Sequence, residues 1–249
     1  MYMKKILLII LGIVGIIAVA GIIRFNFTNG GDVVVEQPII VVPEKPISLC
    51  FYAETKTSRG LYDVSLLKMN LLKDRVTGEF RYVPAEKDSK TGEFEGTVGV
   101  VDQVAMARTA DVWWNVMAEG VQSKEQLKVV FGEGTAQALF GEMVPDATGA
   151  YVYKDATKAT YGVPMSDVAC ADVDDRLIVE QYIRTNIKTL AVGKAVLGGN
   201  WYVTNVHIDP QTKTGTMTYE DGHIQSSARF TYERNEQEVV LSNIVKLSK

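Results

Sequence analysis

The chain has 249 residues, 47% of them apolar and 22% charged, with a formal net charge of −4 at pH 7. That length holds one large domain or two small ones with real cores, and the composition excludes a disordered chain. The first 29 residues contain Lys4, Lys5 and Arg24 and no acid, so the remainder is more acidic than the whole. A mildly acidic remainder without a basic stripe excludes nucleic acid, and charge attraction to anionic lipid, as grounds for partnership.

The opening "MYMKK" is followed by an uninterrupted apolar run, 6–23, with no charged or strongly polar side chain. At about 1.5 Å per residue this run is about 27 Å long, close to the hydrocarbon thickness of a bilayer. Lys4 and Lys5 are expected to stay cytoplasmic and to send the rest of the chain outward. The alternative is a secreted protein whose signal peptide is cleaved after the A-x-A-like Ala18-Val19-Ala20. No cysteine stands directly after the run, which argues against a lipoprotein anchor. The expected organisation is a cytoplasmic stub at 1–5, a single-pass transmembrane anchor at 6–23 and a stalk at 24–47. Beyond these come an N-terminal β-unit at 48–165, a helix and connector at 166–198, and a four-strand meander at 199–249. Gly30-Gly31, Pro38, Pro43 and Pro46 favour extended chain in the stalk. This layout is similar to that of N-terminally anchored bacterial envelope proteins, a likeness of architecture that carries no residue.

From 48 onward apolar side chains recur with a period of two, the pattern of half-buried strands. "VTGEFRYVP" sets Val76, Phe80 and Tyr82 on one face. "EFEGTVGV" sets Phe94, Val98 and Val100 against Glu93, Glu95 and Thr97, and "DVWWNVMAEG" turns Val112, Trp114, Val116 and Ala118 inward. Gly132-Glu133-Gly134 marks a hairpin between "EQLKVVF" and "TAQALFGEM", and "AYVYKD" is a further short strand. One helix interrupts, "CADVDDRLIVEQYIRTNIKTL", with a predicted apolar stripe of Leu177, Ile178, Tyr182, Ile187 and Leu190. Asp172 or Asp174 is its expected cap, and Lys188 suits its far end. "AVGKAVLGGN" is expected to return the chain to strand. Four strands follow, with turns at Glu220-Asp221-Gly222 and Arg234-Asn235-Glu236-Gln237. In the first of them Tyr202, Val206 and Ile208 are expected to share the apolar face. The fold class is therefore mainly β, antiparallel meanders in a barrel-like or sandwich-like arrangement, with one amphipathic helix that covers the last sheet and an N-terminal transmembrane helix.

Cys50 and Cys170 are the only cysteines. Outside the cytoplasm a disulfide between them is expected, and it would constrain the unfolded chain by about 4–5 kcal/mol. Two unpaired buried thiols are the alternative. "SLLK" at 65–68 and the two K-T-G triplets at 90–92 and 213–215 share letters with the motifs of serine β-lactamases and penicillin-binding proteins. That chemistry needs its serine at the start of a buried helix. Here strand periodicity puts Ser65 and Lys68 on opposite faces, and both triplets read as hairpin turns whose glycines, Gly92 and Gly215, need a positive φ.

No metal site and no cofactor is expected. His207 and His223 are the only histidines and fall on different faces. "DVDDR" resembles the start of a calcium loop but carries Leu177 where glycine belongs and Ile183 where glutamate belongs. What remains is exposed aromatic surface. Alternation turns Trp113 outward beside Asp111 and Asn115, and turns Trp201 outward with Asn205 and His207, faces suited to stacking on a sugar, a peptide or a protein. The expected function is a non-enzymatic binding or interaction module of the cell envelope, held in the membrane by its N-terminal helix, with an envelope protein or polysaccharide as partner. The alternatives are an envelope hydrolase or wall-modifying enzyme with a carboxylate pair, and a structural spacer or assembly component.

Overall fold

Alternating apolar and polar side chains build antiparallel strands from Ile47 onward, and these strands close on themselves. The structure is a computed structural model that describes residues 45–235 and 238–248. The stub, the apolar run and nearly all of the stalk lie outside these residues. Strands β1 (Ile47–Lys56), β2 (Tyr62–Leu72), β3 (Arg75–Val83), β4 (Lys90–Val98), β5 (Arg108–Ala118), β6 (Val121–Gly132) and β7 (Thr135–Phe140) pair in sequence order. Short pieces follow: β8 (Met143–Pro145), β9 (Tyr151–Tyr153), β10 (Thr160–Tyr161) and β11 (Met165–Asp167). Because β11 pairs with both β7 and β1, the ring shuts into an eight-stranded antiparallel barrel. The hairpin between β6 and β7 turns through Glu133 and Gly134, both at positive φ.

Side chains fill the barrel. Phe51, Leu67, Met69, Val76, Phe80, Phe94, Val112, Trp114, Val129 and Phe131 are among its buried interior, as an eight-stranded ring requires. The Phe80 and Trp114 rings lie 5.1 Å apart, and Trp114 Nε1 donates to the Gly92 carbonyl at 3.0 Å. Val100, expected on the inward face, lies past the end of β4 and is exposed.

The two K-T-G triplets differ from the turn reading. Neither Gly92 nor Gly215 has a positive φ; in the second hairpin that conformation falls on Lys213. Both glycines lie inside strands where a Cβ has no room: at Gly92 it would stand 1.8 Å from the Asn115 carbonyl oxygen, and at Gly215 2.4 Å from the Phe230 ring. Close approach of backbone and ring, not turn geometry, is what glycine supplies here.

The helix α1 (Cys170–Leu190) leaves the barrel directly after β11. Its N-cap is Ala169, which makes no side-chain capping bond. The expected caps are used elsewhere: Asp174 pairs with Lys68 of β2 at 2.6 Å, and Asp172 accepts from Gln211 Nε2 at 2.7 Å. A disulfide joins Cys170 to Cys50 of β1, with Cα atoms 5.2 Å apart. Four residues of the expected stripe pack inward, Ile187 buried and Leu177, Tyr182 and Leu190 partly so, whereas Ile178 is exposed; Val173, Val179 and Ile183 add a buried surface that the stripe left out. The helix is covered on two sides, by the barrel wall and by a second sheet, so its buried face is not a single stripe. Among the described residues no helix is long and apolar enough to cross a membrane.

The second sheet is the expected meander, β12 (Tyr202–Asp209), β13 (Thr214–Glu220), β14 (Gln225–Arg234) and β15 (Val239–Lys246), in that order. The connector 191–201 forms turns, not strand, with Gly193 and Gly198 at positive φ. Trp201, Val203, Ile208, Met217, Tyr219, Phe230 and Tyr232 pack with Val179, Ile183 and Ile187 into a second core. Barrel, helix and meander belong to one compact unit, Glu44–Lys249.

Asp175 is the buried ionic tie of that unit. Lys213 Nζ and Arg234 Nε donate to its carboxylate, the latter at 2.5 Å, and the Tyr232 hydroxyl lies at 3.3 Å. Burial pushes this carboxyl upward, and the hydrogen bonds and charges of Lys213 and Arg234 outweigh burial, so the net displacement is below the ordinary value. Breaking a buried pair costs more than breaking a surface one, but both cations keep some solvent contact. Asp175→Asn is therefore expected to cost about 2–3 kcal/mol in denaturant unfolding at neutral pH. A depressed folded value means that this stability is complete above about pH 4 and drains as pH falls through the folded value. The Asp175→Asn chain should lose less stability than wild type across that acid range. Replacing both cysteines by alanine should cost about 4 kcal/mol, since the bond closes a loop with a sequence separation of 120; an unchanged unfolding midpoint would exclude a structural role for it.

Candidate functional site

Outward side chains of β2–β5 form two cross-strand rows. One reads Lys68, Glu79, Glu93, Asn115; the other reads Asn70, Thr77, Glu95, Trp113. The inward partners Met69, Phe94 and Trp114 are buried, so alternation commits these polar residues to the outer wall. Between the rows runs an open groove of about 410 Å³ that reaches Lys68, Asn70, Thr77, Glu93, Glu95 and Asn115. That volume is in the range of a site for a small ligand.

Trp113, half-buried, lies directly across from Glu95, which lines the groove. Lys124 Nζ hovers 5.3 Å from its ring centroid, a cation–π contact of modest strength at an exposed site. Asn115 is exposed and lines the groove, while Asp111 pairs with Lys128 farther along the wall. Trp113, Asp111 and Asn115 thus share one outward face. The carboxylates of Glu79, Glu93 and Glu95 have no side-chain hydrogen bond or ion pair with any described residue. Glu79 and Glu93 are direct cross-strand partners, which brings their Cβ atoms to about 5 Å.

The second expected face lies elsewhere and is covered. Trp201 is 7% exposed and packs edge-on against Tyr219 in the meander core. Tyr202, expected inside, is exposed. The cause is a bulge: the register of β12 on β13 slips between Val203 and Asn205, which reverses the two faces of the strand before it. Asn205 and His207 turn away from the meander core, as alternation predicts, but they meet the barrel and not solvent. The Asn205 amide accepts from Tyr62 N at 3.2 Å and donates to Tyr62 O at 3.0 Å. His207 stacks on the Tyr62 ring at 4.2 Å and meets Glu54 through Nδ1 at 2.8 Å. Glu54 also accepts from the Tyr52 hydroxyl at 2.7 Å. Burial pushes Glu54 upward, yet its bonds to His207 and Tyr52 prevail and hold it below the ordinary carboxylate value. Burial, aided by Glu54, pushes the Tyr52 hydroxyl upward.

Beside this seam Arg81 and Arg184 converge on Glu180, and the Arg176 guanidinium lies 3.9 Å from the centre of the Tyr52 ring. The cavity they enclose measures about 30 Å³, room for about two waters. The seam is a packed junction between barrel, helix and meander. Among the described residues no cluster of three or more His, Cys, Asp or Glu side chains is arranged to hold a metal ion.

Sequence reasoning singled out Trp113 and Asn115 but not Glu79, Glu93, Glu95, Asn70 or Thr77. Their alternation was visible; their adjacency depends on hairpin register, which the letters of one strand do not carry. No protein family, curated protein or solved structure is similar enough to match this chain.

With Trp114 1% exposed and Trp201 7%, Trp113 is the indole open to solvent. Acrylamide should quench only part of the wild-type emission, and Trp113→Phe should abolish that part. Equal quenching in both proteins would mean that another indole is accessible.

Proposed function

We propose that this chain is a non-enzymatic binding module of the cell envelope, held in the membrane by the apolar segment 6–23, with an envelope polysaccharide as ligand. The observation that carries this reading is Trp113 directly across from Glu95 of an open groove, where Glu79, Glu93, Glu95 and Asn115 make no side-chain bond with any described residue. A flat indole offers apolar area to the face of a sugar ring, and acids and amides at groove depth suit its hydroxyls. The rigid barrel holds these groups in fixed register, so little ordering accompanies binding.

A second reading has one observation in its favour. Glu79 and Glu93 stand directly opposite each other across β3 and β4, the arrangement of a carboxylate-pair hydrolase. Against it, the pair lies along an open groove on the outer wall, which does not exclude water.

The full-length chain in detergent micelles, sedimented with purified wall polysaccharide, tests both. Wild type should co-sediment, and Trp113→Ala should bind about tenfold more weakly, equivalent to about 1.4 kcal/mol. Equal retention of the two proteins overturns the groove as the site. Release of reducing sugar by wild type, lost in Glu93→Gln, would establish the hydrolase instead.

A further inference from the structure

The loop between β4 and β5, residues 99–107, displays apolar side chains to solvent. Val100 is 91% exposed and Val104 97%, and Val101 and Met106 are exposed beside them. Four such residues within one short loop exceed the scattered apolar exposure normal for a surface.

The loop is braced in this shape. Asp102 Oδ1 accepts from Val104 N at 2.9 Å and Ala105 N at 3.1 Å, and Asp102 and Ala107 bridge through their backbones. Arg108 Nε donates to the Gly99 carbonyl at 2.9 Å. Met106 holds a left-handed φ of 49°, a conformation that a non-glycine residue keeps only where its surroundings enforce it. These bonds fix the loop's backbone while the valines stay exposed.

The loop's place in the barrel indicates what covers it. It lies beside the turn between β2 and β3, where Val98 N donates to the Asp74 carbonyl at 2.7 Å. It also touches the end of β6, where a Cβ on Gly132 would stand 2.4 Å from the Met106 carbonyl oxygen. Exposed Leu72 and Ile47 belong to the same end, since Ile47 pairs with Leu71. The first strand of the barrel therefore begins at the end that carries the apolar tip. Residues 24–46 separate that strand from the apolar run, a length that reaches at most about 75 Å.

We propose that the loop 99–107 is a lipid-docking tip, which inserts Val100, Val101, Val104 and Met106 into the interfacial layer of the bilayer that holds the chain. The proposal rests on the reading of 6–23 as a membrane anchor. A tether keeps the barrel at high effective concentration near the bilayer, so a small apolar tip suffices where it would fail in free solution. The driving force is burial of apolar surface, and it needs no anionic headgroup, consistent with the acidic balance of the chain.

Full-length protein in phosphatidylcholine vesicles, with and without bromine on the acyl chains, tests this. Carbonate extraction reports the anchor, and difference emission against wild type reports an added indole. The Val104→Trp indole should emit to the blue and lose most of its emission in brominated vesicles. The Gln122→Trp indole, at the opposite end of the barrel, should keep its emission. If the chain resists carbonate and the Val104→Trp indole is unquenched, the anchor stands and the tip is overturned. A blue-shifted but unquenched indole reports cover by protein, such as a second copy of this chain, and also overturns it. Release of the chain by carbonate overturns the anchor, and the tethered tip with it.

Discussion

The acids of α1 bind it alternately to its two neighbours, and the arrangement of the whole unit depends on that. Asp174 reaches Lys68 on the barrel, Asp175 reaches Lys213 and Arg234 on the meander, and Glu180 reaches Arg81 on the barrel. Successive acids at these spacings point to different sides of a helix. A helix with one apolar stripe and one solvent face could cover a single sheet. This one is covered on both sides, and its ion pairs and the Cys50–Cys170 bond make both contacts specific. The Asp175 pairs are buried enough to be costly if broken singly, whereas the Asp174 pair is largely solvated and adds orientation more than stability.

That tie also explains where the reading of the sequence succeeded and failed. Inward alternation of Val112, Trp114 and Val116, and of Val76 and Phe80, was legible because one face of a barrel strand is wholly apolar. The helix was legible as an element and most of its stripe with it, but the second buried side, through Val173, Val179 and Ile183, was not. Asp175 looks like a solvent residue in a string of letters, and only its two cations, remote in sequence, let it be buried. Trp201 was misplaced because a bulge breaks the period on which alternation rests. Gly92 was misread because a glycine that admits a neighbouring carbonyl and one that permits a turn carry the same letter. In the groove Trp113 could be placed outward, while the glutamates beside it could not be assembled without register.

The filled interior bears on what the barrel can do. Phe80, Phe94, Trp114 and Phe131 occupy the space that larger barrels leave for a ligand. A ligand of the proposed kind is thereby left the outside wall, where a sheet presents side chains at fixed intervals and where neighbouring rows are set by backbone pairing. Such a wall is rigid and open at once. It suits an extended or repeating ligand, which meets several rows in turn, better than a compact one that needs enclosure.

The bulge in β12 has a consequence for how this chain tolerates change. Before it, Trp201 and Val203 face the meander core; after it, Asn205 and His207 face the barrel and Ile208 faces the core. One extra residue thus lets a single strand serve two surfaces of opposite character. Deleting Thr204 would restore a regular strand and send either Trp201 or His207 to the wrong side. Residue substitutions along β12 would be judged one at a time by their size and polarity. A change in the length of this strand, even by one residue, would be judged by both interfaces together.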